Sequence, residues 1–160
     1  MPFLETVTHV GVSTLSLVLL VRGVTGFIGT LIIGTFLKRG LYQTLIAIPI
    51  LMAVIPLTLI PFGGWIAAVA TLLGLWGLMA TAAPVGWWSW IAQAMPENAE
   101  AGGGLMVAAI QLAIALGSTV GGFLFDSSGY QSTFVASAAV LLLAAFLTFL
   151  TSRLQTPRAA

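Results

Sequence analysis

The sequence predicts an all-α polytopic membrane protein, and three features carry that reading. Hydrophobic residues fill 59% of the 160 positions and charged ones only 6%, against about a quarter charged in an ordinary water-soluble domain. The mean hydropathy is +1.13, so a compact body of this size has too little polar surface to face water on every side. The apolar residues also fall in long uncharged runs. In hydrocarbon such runs must be helices, because every unpaired backbone group there is costly.

Each crossing of a hydrocarbon core about 30 Å thick takes about 20 residues. Residues 1–11 hold Glu5 and His9 and have no basic stretch ahead of a short apolar core, so they read as an outer loop and not as a signal peptide. Runs 12–37, 41–60, 65–94, 104–125 and 133–151 are five predicted spans, forming one bundle over 12–152. The segments between them are short and rich in Gly, Pro, Asn, Ser or charge, as turns require. Gly102, Gly103 and Gly104 read as a flexible lead-in to the fourth span, and 126–131 as a loop before the fifth. Residues 153–160 read as a cytoplasmic tail.

Basic residues set the orientation, since Lys and Arg accumulate in cytoplasmic loops. Lys38 and Arg39 follow the first span and Arg153 and Arg158 the fifth, so four crossings bring both pairs to one side. That side is the expected cytoplasm, which leaves the amino terminus outside. Splitting the long third run at Pro84 would separate the two pairs, so one kinked or tilted helix is expected there. An odd number of spans with an external start leaves two alternatives. Either a preceding helix is missing, or the first helix inserts with its amino end translocated.

Composition also limits function. Five basic residues give no nucleic-acid footprint. The absence of Cys excludes disulfides, thiol nucleophiles and cysteine metal sites. One His and no acid within a span supply no paired aspartates, Ser-His dyad or metal cluster, so neither an enzyme nor a resident cofactor or metal is expected. His9 reads as a solvated or interfacial residue of the outer loop.

Arg22 is the one formal charge inside a span, about 15 Å deep at 1.5 Å per residue. It either snorkels to the outer surface or faces a water-filled cavity, where it pairs with an acid or holds a substrate. That depth is long for snorkelling and favours the cavity. Glu5, Glu97, Glu100 and Asp126 all fall in loops or at span ends, so a buried acid would have to come from another chain or segment. Trp87 and Trp88, with Trp90, stand near the cytoplasmic end of the third span, where an aromatic belt is expected. Pro84 and Gly86 just before them equally allow a loosened helix whose aromatics line a cavity, with Trp76 deeper in the same span. Gln111 bonds a neighbouring helix or contacts substrate. Gly26 and Thr30 in the first span, and Gly117 and Gly121 in the fourth, form small faces that let helices approach closely.

The stretch from Gly34 through Lys38, Arg39 and Gly40 to Gln43 resembles the loop signature between helices eight and nine of the major facilitator superfamily. It departs from the pattern where Lys38 stands in place of an acid. The stretches from Ala83 to Trp90 and from Pro96 to Gly103, then Gln111, Gly117 to Gly122 and Asp126, resemble helices ten and eleven of drug-proton antiporter-type permeases, closest to arabinose- and nucleoside-efflux members. The resemblance covers nearly the whole chain. It implies helices eight to twelve of a twelve-helix fold, preceded in 1–11 by the end of helix seven, in a bacterial inner membrane. It implies a secondary transporter in which two six-helix bundles rock about a midplane cavity. Efflux of a sugar, nucleoside or drug-like solute would be coupled to protons. Arg22, Trp76, Trp87, Trp88 and Gln111 would then be cavity residues, and Gly34, Lys38, Arg39 and Gly40 a gating loop. The expected partners are the lipid bilayer, a small-molecule substrate and the missing amino-terminal half, and no transport is expected from this chain alone. The alternative is a small non-transporting membrane protein that packs with a partner bundle as an accessory subunit.

Overall fold

The computed structural model describes residues 11–154, and every regular element in them is helical. Helices α1 (Val12–Arg39), α2 (Leu41–Phe62) and α3 (Ile66–Ala94) are followed by a single 3₁₀ turn, Pro96–Asn98, and by α4 (Ala99–Leu154). Among the described residues, four helices are thus long and apolar enough to cross a membrane. The expected five are not matched one for one. The reason lies in α4, whose 56 residues would run about 84 Å as a straight rod, far beyond the bilayer core.

That helix reverses at Gly129, the one residue within it with non-helical angles (φ 80°, ψ 175°). Its two arms, 99–128 and 130–154, then lie side by side. The Thr133 hydroxyl donates to the Gly121 carbonyl at 3.3 Å, and Ser132 donates to the Leu124 carbonyl at 3.1 Å. Residues twelve apart on a straight helix would stand about 18 Å from one another. The predicted loop 126–131 is therefore a one-residue break in otherwise helical chain.

The α1–α2 turn is equally short. Gly40 alone separates the helices, its N–H donating to the Phe36 carbonyl at 3.1 Å. The Thr44 hydroxyl reaches back to the Gly40 carbonyl at 2.8 Å and the Phe36 carbonyl at 3.2 Å. Lys38 and Arg39 occupy the last turn of α1, where positive charge suits the helix dipole. Helix α3 runs unbroken through Pro84, and α2 holds three internal prolines, Pro49, Pro56 and Pro61.

The lead-in reading of the three glycines is corrected. Gly102, Gly103 and Gly104 all lie inside α4, and the first two are buried. Their missing side chains leave room for α3. A Cβ at Gly102 would stand 3.0 Å from Ile91 Cγ2, and one at Gly103 would run into the Trp88 ring. Arg158 and 1–10, with Glu5 and His9, lie outside the described residues.

Two buried layers hold the helices together. Val18, Ile55, Leu59 and Val69 form one, with Phe134 packed on it; Ile33, Ile48, Met52 and Ala82 form the other, with Leu141 packed on it. Trp76 touches both. Arm 130–154 supplies Phe134 and Leu141, so it is this arm that seats on the core. Arm 99–128 stands largely clear: from 104 to 120 every residue except Met106 is exposed.

Candidate functional site

The tightest contact in the bundle joins α1 to α3 and is built from threonines and glycines. Thr25 on α1 donates to the Gly74 carbonyl of α3 at 2.8 Å, and Thr81 on α3 donates to the Gly26 carbonyl of α1 at 2.6 Å. These reciprocal bonds require backbone to approach backbone, and glycine provides the space. A Cβ on Gly29 would strike the Leu78 carbonyl, and one on Gly77 would strike the Arg22 carbonyl and Cγ. Gly26 therefore lies at an interhelical contact. Thr30, by contrast, spends its hydroxyl on the Gly26 carbonyl of its own helix at 3.2 Å.

Arg22 sits at the edge of this contact. It is half-buried, with its stem on Gly77. Among the described residues no side-chain nitrogen is enclosed without a partner, and none of the hydrogen bonds there uses its guanidinium. Glu97 and Glu100 stand beyond the far end of α3, and Asp126 stands beside the Gly129 break.

The aromatic residues divide between two places. Trp87 meets Trp90 edge to face at 5.8 Å and 78°, and the Trp90 indole N–H donates to the Tyr42 hydroxyl at 2.9 Å. This ties the end of α3 to the start of α2, directly after the Lys38–Gly40 turn. Trp88, 44% exposed, covers Gly103. Trp76 is half-buried and forms one wall of a hollow of about 280 Å³ between α2, α3 and both arms of α4. Gly117, Gly121, Thr133 and Ser137 form the facing wall. The hollow offers an aromatic face and no charge; its wall is largely apolar, with the hydroxyls of Ser137 and of Thr133, the latter already donated to the Gly121 carbonyl.

The five expected cavity residues are thus not brought together. Trp76 lines the hollow, Arg22 stands at the α1–α3 edge, Trp87 and Trp88 are at the far end of α3, and Gln111 is exposed on the free arm. Gly34, Lys38 and Arg39 are exposed, and Arg39 and Gly40 border a cleft of about 430 Å³. Sequence reasoning missed Thr25, Thr81, Gly74, Gly77 and the Tyr42–Trp90 bond. Glycines three apart in the third run, with threonines in both runs, were the available signal for the first four; nothing in the spacing marks the last.

Apolar helices that reverse twice at single glycines, and that join through interhelical threonine–carbonyl bonds, define a polytopic integral membrane protein. The family description of the Major Facilitator Superfamily matches residues 1–160, and the chain belongs to that superfamily. It is 65% identical over 156 residues to the transcription regulatory protein OpdE of Pseudomonas aeruginosa, covering 98% of this chain and 39% of that one. It is 39% identical over 134 residues to the purine ribonucleoside efflux pumps NepI of Salmonella typhimurium and Salmonella enteritidis, covering 84% of this chain and 34% of each pump. The chain therefore spans well under half the length of these curated relatives. No solved structure matches it.

Proposed function

We propose that this chain is one helix bundle of a secondary transporter that exports a small organic solute, with the proton as coupling ion. Both arms of α4 cross the bilayer, giving five spans, with the amino terminus outside and Lys38, Arg39 and Arg153 on the cytoplasmic face of a bacterial inner membrane. The observation that carries the reading is the 39% identity to purine ribonucleoside efflux pumps over 84% of the chain. The free arm supports it: a run of exposed residues holding Gln111 is the surface on which a second bundle would close a cavity. A flat, hydroxylated solute of the ribonucleoside class fits the hollow walled by Trp76, Thr133 and Ser137. On this reading Arg22 would pair with an acid of the partner bundle or a polar group of the solute.

The test is purine ribonucleoside movement in vesicles that hold this chain together with a bundle equivalent to the part of the Salmonella pumps it does not span. Solute accumulation that collapses when the proton gradient is dissipated is the expected result. Equal accumulation with and without the gradient would remove proton coupling, and no accumulation would remove export of this solute class.

A second reading follows from the 65% identity to a protein named as a transcription regulator. The chain would then be a non-transporting bundle that packs on and modulates a partner. Five basic residues in 160 leave no footprint for DNA, so any effect on transcription would run through the partner or its solute.

A further inference from the structure

The cleft bordered by Arg39 is amphipathic along its length. Its polar groups, Arg39, Gly40, Gln43 and Thr44, all stand at one end, around the α1–α2 turn. The remainder of its wall is apolar, from Phe36 and Ala47 inward to Gly29, Leu51 and Leu78. Arg39 to Gly29 is ten residues of α1, about 15 Å at 1.5 Å per residue. That is half of a hydrocarbon core about 30 Å thick, the depth of one leaflet. The wall is open to the outside: Ile32 is 40%, Phe36 50% and Leu51 49% exposed.

The cleft offers about 430 Å³, room for one unbranched chain lying along a wall one leaflet deep. Charge decides what stands at the mouth. Arg39 lines it, Lys38 is adjacent and exposed, and no acid belongs to the cleft wall. Basic pockets between helices at a membrane surface take anionic lipid head groups by this same complementarity.

We propose that the cleft between α1, α2 and α3 binds one anionic phospholipid, its phosphate at the Arg39 mouth and one acyl chain lying along the apolar wall towards Gly29. The site lies apart from the Trp76 hollow and does not depend on the transport reading. It needs only that the chain sits in a bilayer. A lipid held there would brace the Lys38–Gly40 turn against α3, joining lipid composition to the position of the turn.

The test is native mass spectrometry of the whole chain in detergent with phosphatidylglycerol or phosphatidylcholine of equal chain length, followed by photocrosslinking from a diazirine near the acyl terminus. Phosphatidylglycerol should be retained over phosphatidylcholine by about fivefold for each basic residue engaged. Lys38→Gln with Arg39→Gln should abolish the preference. Ala47→Phe, at an exposed position in the cleft, should lower retention of both lipids without touching the charges. Crosslinks should fall on Ile32, Leu51 and Leu78. Equal retention of the two lipids by the unaltered chain would overturn the proposal. So would a preference that survives the double charge variant, full competition by inorganic phosphate, or crosslinks confined to the free arm of α4.

Discussion

Thr25 and Thr81 show what single side chains do in this bundle. Each hydroxyl reaches across to a carbonyl of the facing helix, and neither bond forms unless Gly26, Gly74 and Gly77 keep the backbones close. Interhelical hydrogen bonds in membranes contribute about 0.6 kcal/mol on average and up to about 1.7, so Thr81→Val should lower stability by roughly that amount. Gly77→Leu should cost more, because the Arg22 backbone has nowhere to retreat. Thermal unfolding in detergent measures both, and a Gly77→Leu protein as stable as the unaltered one would contradict the close approach. The Trp90–Tyr42 bond makes a separate prediction. Tyr42→Phe and Trp90→Phe should each destabilise slightly, and a double-mutant cycle should return a coupling of about 0.5 to 1.5 kcal/mol; zero coupling would mean the bond is not made. None of these pairings was legible from spacing alone. A sequence marks small and polar residues on a helix, but their partners belong to whichever helix the bundle places opposite. For the same reason Arg22 was recognisable as an anomaly while its surroundings were not.

At the scale of the elements, the apolar runs were legible because the bilayer admits few alternatives. Their ends were less so. Gly102, Gly103 and Gly104 read as a flexible segment by aqueous propensity, yet all three are helical, and α4 needs the first two as glycine so that Ile91, Met95 and Trp88 can pack on it. The stretch 126–131 read as a loop, yet one residue makes the reversal. Gly129 occupies a region of backbone space that is essentially glycine-only, where any side chain costs about 1 to 3 kcal/mol. Gly129→Ala should therefore destabilise the hairpin by that amount, and Gly117→Ala, in regular helix about three turns earlier with open space for a methyl group, should not. The chain has no native cysteine, so single cysteines report the crossings directly. Cysteines at the exposed positions Gly64 and Ser128 should react with an impermeant maleimide from outside the cell. Those at Lys38 and Leu154 should react only once the membrane is opened. Labelling of positions 128 and 154 from the same side would show that arm 130–154 does not cross.

For the whole molecule, the arms of α4 have unequal surroundings, and this bears on function. Arm 130–154 is anchored on both core layers, whereas Leu105, Leu112 and Phe123 on the other arm are 74%, 62% and 71% exposed. Lipid tolerates such apolar surface, but the same arm also presents Gln111 and the Gly117 and Gly121 face beside the Trp76 hollow. A hollow with one side open holds a solute only when another surface closes it. The chain spans 34% of the ribonucleoside pumps it resembles, and the proposed function rests on the remainder supplying that surface. Family and membrane location were recognisable from sequence because they depend on run lengths and local motifs. On the proposed function a closing surface would belong to a partner bundle, which the residues of this chain do not describe. The most direct measurement is proton-driven purine ribonucleoside transport in vesicles containing this chain alone, compared with vesicles that also contain the complementary bundle. Transport only in the paired vesicles is the predicted result, and gradient-dependent transport by the chain alone would contradict the account.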